Sequence, residues 1–132
     1  MSVFTAAERA YLGEQRLGRL ATVGRRGEPH VVPVGFRYDP ERDVIAIGGR
    51  GFAGSKKYRD LRADPRCAFV VDDVAPGGRL RLLEVRGSAE LVPSGGRALS
   101  AAFDEPMIRL RPRRIVAMGL DVDDREPRGR DV

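Results

Sequence analysis

The chain has 132 residues, 42% hydrophobic and 33% charged, which suits one globular domain with its own core. Its 24 basic residues outnumber 19 acidic ones, giving a net charge of +5, and 22 of the 24 are arginine; the two lysines, Lys56 and Lys57, are neighbours. One cysteine excludes an internal disulfide, and one cysteine with one histidine excludes the usual zinc clusters, so no metal site is expected. There is no apolar run of membrane-spanning length, and the opening MSVFTAAERAYL lacks the basic start and apolar stretch of a signal peptide. With a free thiol, this favours a cytoplasmic protein.

Along the chain, Thr5-Ala-Ala-Glu8 is a capping box, and Phe4, Ala7, Tyr11 and Leu12 follow at helical spacing, predicting a helix over about residues 5–15. Strands are then predicted at Leu17–Val23, His30–Tyr38 and Val44–Gly49, joined by the turns Gly24–Pro29 and Asp39–Asp43. Connections this short make an antiparallel meander. In the second strand His30, Val32, Val34 and Phe36 share one face, and Val31, Pro33, Gly35 and Arg37 the other. After the glycine-rich loop Gly49–Ser55 comes a short helix, Ser55–Asp64, with Tyr58 and Leu61 inward, stopped before Pro65. Arg66–Asp73 and Leu80–Val92 are the next strands, and Gly87 inside the latter suggests a bulge. A helical turn or two is expected within Arg97–Phe103. Met107–Arg111 and Ile115–Leu120 read as two strands separated by Pro112, and the polar segment Asp121–Val132 reads as a mobile tail. Six or seven hairpin-linked strands with few helices make a mainly β fold, a small closed or partly closed barrel.

Gly49-x-Gly51-x-x-Gly54 follows a strand and opens a helix, with Asp72 and Asp73 about 20 residues on, a formal dinucleotide fingerprint. The meander before it, the short lysine-bearing helix and the lack of further βαβ units argue against that fold. The local physics stands: amides at a helix start, the Ser55 hydroxyl and the charges of Lys56 and Lys57 suit a phosphate. Cations in the first turn oppose the helix dipole, and a bound anion offsets that cost.

The series RLGRLATVG, PHVVPVGFRYD, VIAIGG, SKKYRDLRADPRCAFVVDD, LEVRGSAEL and IRLRPRRIVAMGLD resembles the pyridoxamine 5′-phosphate oxidase-like split-barrel family, above all its small actinobacterial members that use the deazaflavin coenzyme F420. The likeness covers about residues 5–120, so residues 1–120 are expected to be the cofactor-binding domain and 121–132 a tail. It implies a six-stranded split β-barrel, a homodimer, and a flavin-like cofactor at the subunit interface. It also implies that Ser55, Lys56 and Lys57, with Gly49 and Arg50, hold the cofactor phosphate. The backbone of Pro33, Val34, Gly35 and Phe36, with His30 at the strand start, would run beside the tricyclic ring. Where close relatives have a tryptophan in the last strand, this chain has Ala117-Met118, which implies a differently shaped substrate pocket.

The expected function is an F420-dependent oxidoreductase passing a hydride to a small conjugated or unsaturated substrate. The alternatives are an oxidoreductase using flavin mononucleotide (FMN) and a non-catalytic F420 or flavin binder. The longer, more acidic deazaflavin requires a basic groove beyond the phosphate, for which Arg25, Arg26, Arg50, Arg59, Arg79 and Arg81 are candidates. His30, Tyr38 and Tyr58 are the candidate proton donors, and none is singled out as catalytic. Nucleic-acid binding is suggested by the charge alone; with no aromatic stacking platform and no recognition-helix pattern it is not expected. No membrane partner is expected either.

Overall fold

The computed structural model describes residues 1–132. Seven strands and three short helices follow in the order α1 (Ala6–Glu14), β1 (Leu17–Val23), β2 (Pro29–Asp39), β3 (Val44–Gly48), α2 (Lys56–Ala63), β4 (Arg66–Val74), β5 (Leu80–Val92), α3 (Gly96–Leu99), β6 (Met107–Met118) and β7 (Arg128–Asp131). All pairings are antiparallel, in the order β3-β2-β1-β4-β5-β6, and β3 also pairs with β6, which closes a six-stranded barrel. β7 lies outside on β6. β3 and β4 do not pair, which disposes of the dinucleotide-fold reading of the glycine loop.

Strand alternation fills the barrel. Leu20, Val34, Ile45, Ile47, Phe69, Leu83, Val85 and Ile115 are buried in one cluster, because period-2 apolar residues on curved strands all point to the axis. α1 covers one end with Tyr11 and Leu12. Its capping box is formed: the Thr5 amide donates to Glu8 Oε1 at 2.9 Å, and the Glu8 amide donates to Thr5 Oγ1 at 3.1 Å. α2 covers the other end with Tyr58 and Leu61. Cys67 is free and buried, and burial pushes its thiol pKa up to about 12.

Two expectations are corrected. The segments on either side of Pro112 form the single strand β6 rather than two, because Pro112 stands opposite Gly87 where the β5–β6 register shifts. The bulge leaves one extra residue on β6, so the missing proline amide interrupts no continuous ladder. A Cβ on Gly87 would collide with the Arg111 carbonyl oxygen. Gly87→Ala is therefore expected to destabilise the protein by about 2–3 kcal/mol, read as a lower urea midpoint at unchanged slope.

The second correction concerns the tail. Arg128–Asp131 is strand β7, paired with Arg114–Ala117 of β6. β3 accompanies β6 only over Ile108–Leu110, so the rest of that edge is open and an additional strand satisfies it. Arg130 then grips the buried Glu8 carboxylate with two bonds, of 2.6 and 2.9 Å. No helix is long and apolar enough to cross a membrane.

Candidate functional site

β2 changes partners at its middle. Pro29–Gly35 pairs with β1, while Gly35–Asp39 pairs with β3. Over Pro29–Val34 the other edge has no strand beside it, so the barrel is split there and backbone polar groups are open to a ligand. The even-numbered face is inward, as alternation predicts. Val34 is 4% exposed, and Phe36 meets Phe69 edge-on with ring centroids 5.0 Å apart. The Val34 and Phe36 side chains thus belong to the core, and only their backbone is available to the site. Pro33 faces out. Gly35 is not bare: a Cβ there would come within 2.9 Å of the Phe103 ring, and one on Gly48, its partner across β2–β3, within 3.0 Å. The flat group lying on this glycine pair is the chain's own phenylalanine, delivered by the β5–β6 connection. Nothing in the sequence spacing signals that contact.

The glycine loop turns through Gly51 in the left-handed region (φ 57°) and a single 3₁₀ turn, Phe52–Gly54, into α2. Ser55 is the N-cap. Its hydroxyl donates to the Phe52 carbonyl at 2.6 Å and accepts from the Tyr58 amide at 3.4 Å. The Lys56 and Lys57 amides are the first two of the helix and have no carbonyl within it to bond. Gly49 is tied from outside the loop: its carbonyl accepts from the Asp104 amide at 3.0 Å, and the Asp104 carboxylate accepts from the Phe52 amide at 3.3 Å.

The two lysines, alike in sequence, differ in the fold. Lys56 Nζ donates to Asp60 at 3.0 Å and reaches Glu28 at 3.5 Å. Bonding to Asp60 raises its pKa, and its charge is neutralised within the molecule. Lys57 has no carboxylate partner; its ammonium stands 5.1 Å above the Phe52 ring, and burial lowers its pKa. A half-buried cation whose neighbour is only an aromatic face gains from an anion delivered beside it. Arg50, at the loop's start, is exposed. Lys57 and two free amides are the uncommitted donors at the start of α2; the Ser55 hydroxyl proton is already given to the Phe52 carbonyl.

An open groove of about 1000 Å³ runs along α2 beside the β1–β2 turn, and Lys57 and Arg50 are not among the residues that line it. Arg25, Arg26, Lys56, Arg59 and Arg62 line it, together with the carboxylates of Glu28 and Asp60. Asp60 is 4% exposed and accepts from Thr22 Oγ1 at 2.8 Å. The His30 Nδ1 is buried without a partner, 4.0 Å from Asp60 Oδ2. Arg62 was missed by the sequence reading; its four-residue spacing from Tyr58, over whose ring it lies, was the available signal. Arg79 and Arg81 are elsewhere: Arg79 bonds the Gly119 carbonyl, and Arg81 is held by Asp73 and Glu14 near α1. Tyr38 is also remote, its hydroxyl donating to Asp43 at 2.6 Å.

Residues 4–118 match the family described as Pyridoxamine 5′-phosphate oxidase. The chain is 46% identical over 122 residues (91% of this chain, 86% of the relative) to the 5a,11a-dehydrotetracycline/5a,11a-dehydrooxytetracycline reductase of Streptomyces rimosus. It is 35% identical over 79 residues (60% of this chain, 54% of the relative) to an F420H(2)-dependent biliverdin reductase of Mycobacterium tuberculosis. Among solved structures, a conserved hypothetical protein of M. tuberculosis shares the fold with a TM-score of 0.72 at 22% identity, over 90% of this chain and 87% of that one. An FAD-binding protein of Mesorhizobium loti does so with a TM-score of 0.67 at 22% identity, over 86% of this chain and 92% of that one. A six-stranded split barrel matched from end to end by one family, in a chain 46% identical to a named reductase, identifies the protein as an oxidoreductase of the pyridoxamine 5′-phosphate oxidase family.

Proposed function

We propose that this protein is an F420-dependent reductase acting on a small conjugated or unsaturated organic substrate. The observation that carries the reading is the groove beside α2, where Arg25, Arg26, Arg59 and Arg62 have no acidic partner, on the same helix whose start bears the uncommitted Lys57. FMN ends at one phosphate and leaves that groove unused, whereas the deazaflavin continues into an acidic tail. The relative named for F420H(2) and the one named as a dehydrotetracycline reductase support the same chemistry.

When bound, the reduced deazaflavin supplies the hydride. The protein's part is binding and placement. Lys57, Arg50 and the first amides of α2 hold the phosphate, with Ser55 and Gly49 shaping the loop around it. The open edge of β2 from His30 to Val34 sets the ring's plane, and Arg25, Arg26, Arg59 and Arg62 attract the tail. Of the three candidate proton donors, His30 stands beside Asp60 of the groove and Tyr58 lies under Arg62.

A second copy of the chain is the proposed partner. Leu17 and Val31 are 59% and 66% exposed on the outer face of β1–β2, beside the open edge, and Pro33 adds to this apolar surface. A dimer burying it would wall the ring site, and light scattering on the purified protein tests it.

The deciding experiment is equilibrium binding of F420 and of FMN, followed by fluorescence at low and high salt. Micromolar F420 binding that weakens with salt, with far weaker FMN binding, is expected. The reverse preference would establish the FMN alternative. Binding without turnover of enones, quinones or tetrapyrroles would make the protein a carrier.

A further inference from the structure

The groove beside α2 already contains an anion of its own. Glu28 folds its side chain back over Gly24, where Oε2 accepts from the Arg26 amide at 3.0 Å and Oε1 receives Lys56 Nζ at 3.5 Å. A Cβ on Gly24 would collide with this carboxylate, so the folded-back position depends on glycine there. The two acids of the groove are held very differently. Asp60 is buried and bonded to Thr22 and Lys56. The Glu28 side chain is 47% exposed and hangs on one amide and one long ion pair, contacts that water replaces at little cost. Around it, Arg25, Arg26, Arg59 and Arg62 have no acidic partner; Arg59 bonds only the Gly54 carbonyl and Arg62 lies on the Tyr58 ring.

We propose that Glu28 is a built-in surrogate anion that an incoming acidic tail displaces, and that it thereby sets the threshold for tailed ligands. This rests on the reading that the tail occupies the groove. A ligand ending at its phosphate does not reach Glu28 and is indifferent to it. A ligand continuing into several carboxylates must drive Glu28 out to solvent, and gains the four arginines only after doing so. Removing the Glu28 charge should therefore strengthen tail binding, the opposite of what losing a contact residue does.

The test uses a synthetic tetraglutamate peptide alongside F420 and FMN, on the full chain and on Glu28→Gln and Gly24→Ala. Glu28→Gln is expected to bind tetraglutamate about threefold to tenfold more tightly at ~0.05 M salt. The gain should vanish near 0.5 M, where the Debye length falls to about 4 Å. Gly24→Ala keeps the charge but expels the carboxylate from its place, and should show part of the gain. In the unaltered chain, saturating tetraglutamate should move the Arg26 amide resonance toward its position in free Gly24→Ala, since both take the Glu28 carboxylate off that amide. Equal tetraglutamate affinities, no tetraglutamate binding, or an unmoved Arg26 resonance at saturation overturns the proposal. A tetraglutamate gain in a protein that binds no F420 sustains the displacement and removes the cofactor reading. F420 binding with no gain does the reverse.

Discussion

Lys57→Ala is expected to weaken binding of the phosphate-bearing cofactor by about 1.5–3 kcal/mol, roughly ten- to hundredfold in Kd, the usual worth of a charge-assisted bond to phosphate. The same change should barely touch the fold, since it removes only the cation over the Phe52 ring, worth about 0.5–1 kcal/mol. Lys56→Ala should behave in the opposite sense. Its ammonium is committed to Asp60 and Glu28, so its loss disturbs the α2–β1 contact more than the anion site. Fluorescence titration with F420, paired with thermal melts of both variants, separates the two effects. An unchanged F420 affinity in Lys57→Ala would remove that residue from the site.

Asp60→Ala should be the more damaging change for stability, at about 2–3 kcal/mol, or roughly 8–12 °C in Tm for a domain of this size. It strands the Thr22 hydroxyl, 2% exposed, without its 2.8 Å partner, and frees Lys56 from the helix. Burial alone pushes the Asp60 carboxyl up, yet bonds from Thr22 and Lys56 together hold it below the usual carboxylate range. The sign follows from linkage. With the folded-state value depressed, the unfolded chain binds more protons, so the contribution is complete above the ordinary carboxylate range and is lost as pH falls through the folded value. Glu8 shows the same balance, with burial opposed by Arg130 and Thr5. Urea unfolding should therefore show stability falling below about pH 4, with a shallower fall in Asp60→Ala.

Much of the fold was legible because its signals are local. The capping box at Thr5–Glu8, the alternation of His30–Phe36, the proline after α2 and the glycine within β5 each act over a few residues, and each is realised. The misreadings share one cause. Pro112 breaks a strand only if nothing opposite accommodates it, and Gly87, 25 positions earlier, does so. Asp121–Val132 is polar and locally featureless, yet its second half finds an open edge on β6 and a carboxylate on α1.

The candidate site divides along the same line. Residue type and spacing were enough to find the glycine loop and the Ser55 N-cap and to single out two lysines as a candidate anion site, because these features lie within a single turn. They could not rank Lys56 against Lys57, place Phe103 on Gly35, or separate Arg59 and Arg62 from Arg79 and Arg81. Those distinctions depend on which carboxylates, rings and strand edges arrive from distant parts of the chain. The basic excess, read as a sum, suggests a polyanion. The fold pairs ten of the 24 cations with carboxylates, and along α2 it leaves Lys57, Arg59 and Arg62 without one.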